Sequence, residues 1–172
     1  TVMLVATYFG AQEIEWETKE QSTIGLIICI LIIQLVAVVG AVLTSRASEK
    51  FGNVPTLIFI NAIWAVFCAL AFFITLPIHF YIMATVAGFV MGGIQALSRS
   101  TYSKLLPDTE DTTSFFSFYD VAEKVGIVIG MCDYGIIDQI TGSPRAAIVI
   151  LAIFFITAIF LLRRVHKKDV SN

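Results

Sequence analysis

Residues 22–45 read STIGLIICILIIQLVAVVGAVLTS, and none of these side chains carries a charge. The hydrocarbon core of a bilayer is about 30 Å thick and a helix rises about 1.5 Å per residue, so about 20 apolar residues cross it. Four more segments are apolar and long enough to cross, namely residues 55–76, 79–98, 114–137 and 145–162. The sequence therefore predicts an all-α fold, a polytopic membrane helical bundle.

The overall composition agrees with this fold class. Hydrophobic residues make up 58% of the 172 residues and charged residues only 14%, whereas soluble domains carry about 25% charge. The first apolar run, residues 1–11, covers about half of a span and has no basic residues before it, unlike a signal peptide. We interpret it as the last turns of a truncated helix, and we expect residues 1–172 to form a single transmembrane lobe.

The loops alternate in basic charge, and this alternation predicts the orientation. Cytoplasmic loops of membrane proteins are enriched in Lys and Arg. If all six segments cross the bilayer, two basic residues, Lys19 and Arg145, lie on one side and eight lie on the other. The eight are Arg46, Lys50, Arg99, Lys104, Arg163, Arg164, Lys167 and Lys168. We therefore place the C-terminus in the cytoplasm, and we expect the plasma (inner) membrane if the protein is bacterial.

Charged side chains inside a predicted span mark the strongest candidate for a functional site. Asp120, Glu123 and Lys124 lie on one face of the helix predicted over residues 114–137. The i, i+4 spacing allows Asp120 to pair with Lys124, which leaves Glu123 without a partner in its own helix. Charges at this depth must face protein or water, because hydrocarbon does not solvate them. Two interpretations remain open: a buried ion pair that holds helices together, or a polar wall of a translocation pathway in which Glu123 or Asp120 accepts a proton.

Uncharged polar residues and glycines inside the other spans add weaker signals. Gln95, Gln34 and Asn61 belong to the kind of side chain that bridges helices or contacts a solute. We include them with the three charged residues in the predicted pathway. Glycines four residues apart let helix backbones approach closely, and a hinge is the alternative role for such a group. The predicted packing glycines are Gly88, Gly92, Gly93, Gly126 and Gly130.

Two segments together resemble a known family. Residues 92–100 read GGIQALSRS and precede a basic loop with Leu106-Pro107; residues 115–120 then read FFSFYD, with Lys124 four residues later. This combination resembles the second half of the vacuolar amino-acid effluxers, known from autophagy, and of their bacterial relatives in the major facilitator superfamily. The resemblance implies that the chain is the C-terminal six-helix lobe with its first helix truncated. It also implies a missing N-terminal lobe, with the solute bound between the two lobes.

Residues 45–53, which read SRASEKFGN, are similar to the superfamily's cytoplasmic loop motif. Glu49 and Lys50 stand for its Asp-Arg pair and Gly52 for its turn glycine, whereas the motif's first glycine and last basic residue are absent. The carboxylate could cap the helix that begins near Ser114, or Thr112, Thr113 or Ser114 could provide that helix with its own cap. The resemblance implies a latch on one of two alternating-access states, and the alternative is a plain salt bridge at a helix end. The predicted gating residues are Arg46, Glu49, Lys50, Gly52 and Arg99.

These observations predict a secondary active transporter, a symporter or antiporter of small polar solutes, and the resemblance implies amino acids first. The alternative is a non-transporting membrane scaffold or receptor of the same fold. The sequence has no phosphate-binding glycine loop, no H-E-x-x-H metal site and no Ser/His/Asp set, so we expect no enzymatic activity, no cofactor and no metal. The expected partners are the missing lobe, the lipid bilayer and a small-molecule solute, with self-association of the isolated chain and no nucleic acid.

Overall fold

The computed structural model describes residues 2–107, 111–142 and 144–169. Within these ranges the chain forms six α-helices, which confirms the predicted all-α helical bundle. They are α1 (Val2–Glu13), α2 (Lys19–Phe51), α3 (Asn53–Ala71), α4 (Pro77–Leu105), α5 (Thr112–Thr141) and α6 (Pro144–Asp169). The lobe predicted over residues 1–172 also includes residues 1, 108–110, 143 and 170–172, which lie outside the described residues.

The centre of the bundle is the contact between α2 and α4, the most extensive between any two helices described. Here the two backbones touch at glycines. A Cβ atom on Gly92 would lie 1.9 Å from the carbonyl oxygen of Ala37, and one on Gly40 would lie 2.0 Å from that of Phe89. Gly88 and Gly93 lie in the same contact, against Ile33 and Thr44. Only a residue without a side chain fits at such distances, so these glycines set how closely the helices pack.

Helix α3 completes the core by packing against α4 and α6. Its Trp64 is buried and stacks on Phe155 of α6 with the ring centroids 5.3 Å apart, while Phe67 meets the same indole edge-on. Aromatic pairs in these geometries add stabilisation beyond the area they bury. The apolar core therefore lies among α2, α3, α4 and α6, and Phe9 of α1 is buried in it.

The helices are longer than predicted at the end that carries the α2–α3 connection, which we call the predicted cytoplasmic end. The predicted loop at residues 45–53 was wrong, because α2 continues through Arg46, Glu49 and Lys50 to Phe51. Nothing in that segment breaks a helix before Gly52, and its residues tolerate helix well. Gly52 alone connects α2 to α3, with φ +90° and ψ 155°, a conformation essentially restricted to glycine.

Prolines decide two other boundaries. Helix α3 ends at Ala71 rather than near residue 76, and Leu76 is extended immediately before Pro77, the first residue of α4. Helix α4 passes the predicted end at Ser98 and stops only before Pro107. The residue before a proline is disfavoured in the helical region, so Leu76 is extended and Pro77 opens α4, while Pro107 stops α4 after Leu105.

Helix α5 has its own cap. Asp111 accepts a hydrogen bond from the backbone amide of Ser114 at 3.2 Å, so the cap proposed for Glu49 is wrong. An aspartate three residues upstream satisfies a first-turn amide with less loss of chain entropy than a carboxylate from another helix. Hydrogen bonds from the Ser114 hydroxyl and amide lower the pKa of Asp111.

Three of the described helices, α2, α3 and α4, are long and apolar enough to cross a membrane by length and composition. The chain is an integral membrane protein. Helices α5 and α6 are not among the three, so their crossing, and with it the orientation, stays a prediction. The face of α2 that the described bundle leaves uncovered is mostly apolar, for example Leu31, Leu35 and Val38, as expected for contact with lipid, and Gln34 is exposed among them.

At the opposite end of the bundle, Arg145 joins three helices. Its Nε donates to the carboxylate of Glu13 at 2.5 Å, and its other guanidinium nitrogens donate to the carbonyls of Phe72 and Ile74 at 3.3 and 3.4 Å. The start of α6 is thereby tied to the ends of α1 and α3. Both side chains are mostly buried, with 26% of Arg145 and 21% of Glu13 exposed, so this pair fixes the bundle at that end.

Candidate functional site

A polar groove lies between the second half of α4 and the first half of α5. Its volume is about 700 Å³, and it opens at the surface of the described bundle. Its walls mix serine hydroxyls and charged groups with aromatic rings. The lining residues are Ile94, Gln95, Ala96, Ser98, Arg99, Ser100, Ser103, Phe116, Tyr119 and Glu123.

Arg99 is the central charge of this groove. Its Nη2 donates to Oδ1 of Asp120 at 2.7 Å and lies 4.0 Å from Oε2 of Glu123. Its guanidinium carbon also lies 5.7 Å from the centre of the Tyr119 ring, in a cation–π geometry. Arg99 therefore does not belong to a loop, as predicted, but to a helix that faces both carboxylates of α5.

The predicted pair between Asp120 and Lys124 is wrong, because Asp120 pairs with Arg99 across the groove. Continuation of α4 past Ser98 brings the guanidinium opposite α5. Its planar fork can bond one carboxylate and remain near a second, which a lysine ammonium does less well. Among the described residues, Lys124 forms no ion pair, and its side chain is exposed.

The charge balance of the site leaves one negative charge in excess, because one guanidinium serves two carboxylates. The side chains of Arg99, Asp120 and Glu123 are 57%, 55% and 44% exposed, so protein does not seal the cluster. The described part of the chain therefore leaves space beside these three side chains. This arrangement suits reversible binding of a polar molecule.

Tyr102 is a site residue that sequence reasoning missed. Its hydroxyl donates to the backbone carbonyl of Phe115 at 2.9 Å, and its ring lies 4.9 Å from that of Tyr119 and 5.9 Å from that of Phe116. The available signal was its position three residues after Arg99, on the same face of a helix. Tyr102 holds the first turns of α5 against α4, beside the ion pair.

The three uncharged residues of the predicted pathway lie in different parts of the structure. Gln95 lines the groove. Gln34 is exposed on α2 and does not line it. Asn61 is buried in α3, where its side-chain amide donates to the carbonyl of Leu57 at 2.8 Å. Its placement in the pathway is therefore wrong, because a carbonyl one turn back in its own helix already satisfies the amide.

The predicted gating residues also lie in different parts of the structure. Glu49 and Gly52 line a second groove of about 480 Å³, beyond the end of α2, whereas Arg99 lines the first. In the second groove, Lys104 donates to the side-chain carbonyl of Asn53 at 3.0 Å, and the Asn53 amide donates to the Ser100 hydroxyl at 3.3 Å. Asn53, a departure from the loop motif, thus makes the contacts to α4. Arg46 and Lys50 are exposed in the last turns of α2.

Gly126 and Gly130, the predicted packing glycines of α5, do not make the close backbone contact that Gly88 and Gly92 make in α4. Gly130 is buried, but a Cβ atom on Gly126 would meet nothing within 4 Å. The close contact predicted at Gly126 is therefore absent from the described bundle. No group of three or more His, Cys, Asp or Glu side chains in the described ranges is placed to hold a metal ion.

Comparison with known proteins supports the resemblance. The family profile described as "Vacuole effluxer Atg22 like" matches residues 1–170. The uncharacterized MFS-type transporter YxiO of Bacillus subtilis is 31% identical over 152 residues, which cover 86% of this chain and 35% of that protein. Autophagy-related protein 22 of Pichia angusta is 29% identical over 171 residues, which cover 92% of this chain and 29% of that protein.

A further relative, Autophagy-related protein 22 of Eremothecium gossypii, is 29% identical over 173 residues, which cover 92% of this chain and 32% of that protein. The chain spans about a third of the length of these curated relatives. No solved structure matches the chain. With nearly every residue inside the profile match, the chain belongs to the vacuole effluxer Atg22-like family.

Proposed function

We propose that this chain is one lobe of a secondary active transporter, and that the groove between α4 and α5 forms part of its solute and proton path. A second lobe supplies the rest of the binding site, and rocking of one lobe against the other gives alternating access. The solutes are small and polar, with amino acids the first class to test. The C-terminus faces the cytoplasm.

The cluster around Arg99 is the single observation that carries this proposal. A guanidinium bonded to one carboxylate at 2.7 Å and 4.0 Å from a second lies in a groove of about 700 Å³. Ionisable groups placed within a predicted span, and left accessible, are typical of substrate and proton pathways. The names of the relatives, an MFS-type transporter and autophagy-related proteins of an effluxer family, support the same class.

The geometry suggests how a proton and a solute exchange places. Protonation of Asp120 removes the charge that holds Arg99, because a neutral carboxyl group no longer pairs with a cation. The released guanidinium then binds an anionic group of the solute, while Glu123 attracts a cationic group such as an ammonium. Ring faces of Phe116 and Tyr119 on the same wall accommodate an apolar side chain.

The test is flux through the complete two-lobe protein in liposomes, with labelled amino acids and a pH gradient across the membrane. We expect gradient-driven uptake, and we expect Asp120→Asn, which removes the carboxylate that takes up the proton, to lower it to the level measured without a gradient. The matched control is Glu17→Gln, since Glu17 is an exposed carboxylate before α2 and far along the chain from the groove. Unchanged pH dependence in Asp120→Asn would dismiss this carboxylate as the coupling site. Absence of flux for every solute would favour the scaffold or receptor interpretation.

A further inference from the structure

A second carboxylate of α5 accepts a hydrogen bond from a neighbouring helix, at the end of α5 that lies away from Arg99. The hydroxyl of Tyr8, in α1, donates to Oδ2 of Asp138 at 3.2 Å. Asp138 follows Asp120 by 18 residues, which is five helical turns, so both acids lie on one face of α5, about 27 Å apart. This face therefore carries one acid in the groove and another near the far end of the helix.

A second tyrosine lies beside this hydrogen bond. Tyr134 is one turn before Asp138 on α5, and its ring meets that of Tyr8 edge-on, with the ring centroids 6.1 Å apart. Its hydroxyl oxygen is buried and has no hydrogen-bond partner within the described ranges. Asp138, Tyr8 and Glu13 all act on this hydroxyl electrostatically. A buried hydroxyl without a partner costs free energy, and the nearest carboxyl group along its own helix face is that of Asp138.

We propose that Asp138 is a proton-accepting residue that changes partner between the two tyrosines, with Tyr8 bound to its charged form and Tyr134 bound to its neutral form. The charged carboxylate accepts the Tyr8 O–H, and bonds to an ionised acceptor are roughly twice as strong as bonds between neutral groups. A proton from solution removes that charge and gives the carboxyl group an O–H of its own. The Tyr134 oxygen accepts this new donor.

The exchange would change how α5 is held. The backbone of α1 packs against α2 and α6, and Tyr8 reaches α5 through its side chain. Loss of the Tyr8 bond therefore lets the far end of α5 separate from α1. This inference rests on the proposed function in one respect, namely that this face of α5 borders the solute and proton path.

The charged groups around Asp138 leave its carboxylate available to a proton. On the helices next to this end of α5, Glu13 of α1 and Arg145 of α6 pair with each other. Asp138 itself forms no ion pair within the described part of the chain, and Asp133 lies on a different face of α5. The side chain that covers Asp138, Tyr8, is 42% exposed, so solvent reaches the bond.

The distance between α1 and α5 tests the proposal. Spin labels on Ala11→Cys and Ile140→Cys report it by pulsed electron paramagnetic resonance, since both positions are exposed. The background is Cys132→Ser, because Cys29 and Cys68 are buried and Cys132 is exposed. In the complete two-lobe protein in liposomes, we expect one short distance at neutral pH and a longer one whose population grows as the pH is lowered. A distance distribution that does not change with pH overturns the proposal.

Two substitutions separate this switch from a static contact. Asp138→Asn keeps the shape of the side chain but does not titrate, so the distance should no longer depend on pH. Tyr134→Phe removes a hydroxyl that makes no bond in this structure, so a static role predicts no effect at any pH. We expect an unchanged thermal melt at neutral pH but loss of the longer distance at low pH. A pH response equal to that of the unsubstituted protein would overturn the role of Tyr134.

Tyr81→Phe is the matched control, since Tyr81 belongs to α4 and packs edge-on against Trp16 rather than beside Asp138. It should keep the pH response of the unsubstituted protein. None of these readouts uses transport. A pH-dependent distance without flux of any solute would refute the proposed function and leave the switch standing, whereas proton-driven flux with a constant distance would refute the switch alone.

Discussion

Helices α4 and α5 have nearly the same length, 29 and 30 residues, and form the two walls of one groove, but they are held in opposite ways. Helix α4 buries a continuous stripe of eight residues and touches the backbone of α2 through glycines. The only buried residue among those described in α5 is Gly130. Helix α5 packs against α6, and its links to α4 are made by α4 side chains, the Arg99–Asp120 ion pair and the hydrogen bond from Tyr102.

These two kinds of contact indicate which wall of the groove can move. Backbone contacts at glycines have one geometry, because any shift brings main-chain atoms into collision or opens a void. An ion pair and a phenol hydrogen bond can break and reform with water, a proton or a ligand. We therefore expect α4 to act as the fixed wall and α5 as the wall whose position depends on what occupies the groove.

The largest expected effect tests the fixed wall. Gly92→Ala places a Cβ atom 1.9 Å from the Ala37 carbonyl oxygen, so the helices must separate, at a cost of about 3 kcal/mol or more of folding free energy. Gly126→Ala is the matched control, since its Cβ atom meets nothing within 4 Å. It should be neutral or stabilising by up to about 1 kcal/mol, because alanine favours helix. Thermal melts in detergent compare the two, and equal losses would remove the distinction between α4 and α5.

A smaller effect tests the link across the groove. Both partners of the Arg99–Asp120 pair are more than half exposed, so we expect a coupling energy of about 1 kcal/mol or less in this chain. A double-mutant cycle with Arg99→Gln and Asp120→Asn measures it from melting curves. The companion cycle, Asp120→Asn with Lys124→Gln, should give coupling near zero. Coupling in the second cycle but not the first would restore the pairing that the sequence predicts.

The smallest effect concerns the start of α5. The pKa of Asp111 is lowered in the folded chain by its hydrogen bonds from Ser114, so its stabilising contribution is complete above the unfolded pKa of about 3.9. That contribution is lost as the pH falls through the lower, folded pKa. Hydrogen-exchange protection of the first turn of α5 should therefore fall below about pH 4. In Asp111→Asn, which keeps a hydrogen-bond acceptor but has no titrating group, the protection of this turn should not fall in the same pH range. Equal pH profiles would exclude Asp111 as the titrating cap.

Several features of the fold could be predicted from local sequence, because their causes are local. Uninterrupted apolar segments such as residues 22–45 predict helices of membrane length. Gly52 predicts a tight turn, and it alone connects α2 to α3. The segments 92–100 and 115–120 indicate the family, and the profile match over residues 1–170 agrees. Each of these inferences needs only the order of neighbouring residues.

The partners of charged groups could not be predicted in the same way. The i, i+4 spacing favours a pair between Asp120 and Lys124 when α5 is considered as a single helix. The choice of Arg99 depends on how far α4 continues and where it crosses, which backbone contacts with α2 determine. Asn61 shows the same limit, because only the packed structure places it in the core rather than beside the groove.

The order of residues is thus sufficient to infer the class of protein, the helices and the presence of charges that lipid cannot solvate, since transfer of side chains into hydrocarbon depends on composition along the chain. Which charges meet follows from the packing of the helices, since an ion pair depends on distances of a few ångströms between residues that are far apart along the chain. Arg99 lies 21 residues before Asp120 and bonds it at 2.7 Å. Lys124, four residues after Asp120, has no ion-pair partner in the part of the chain that the structure describes.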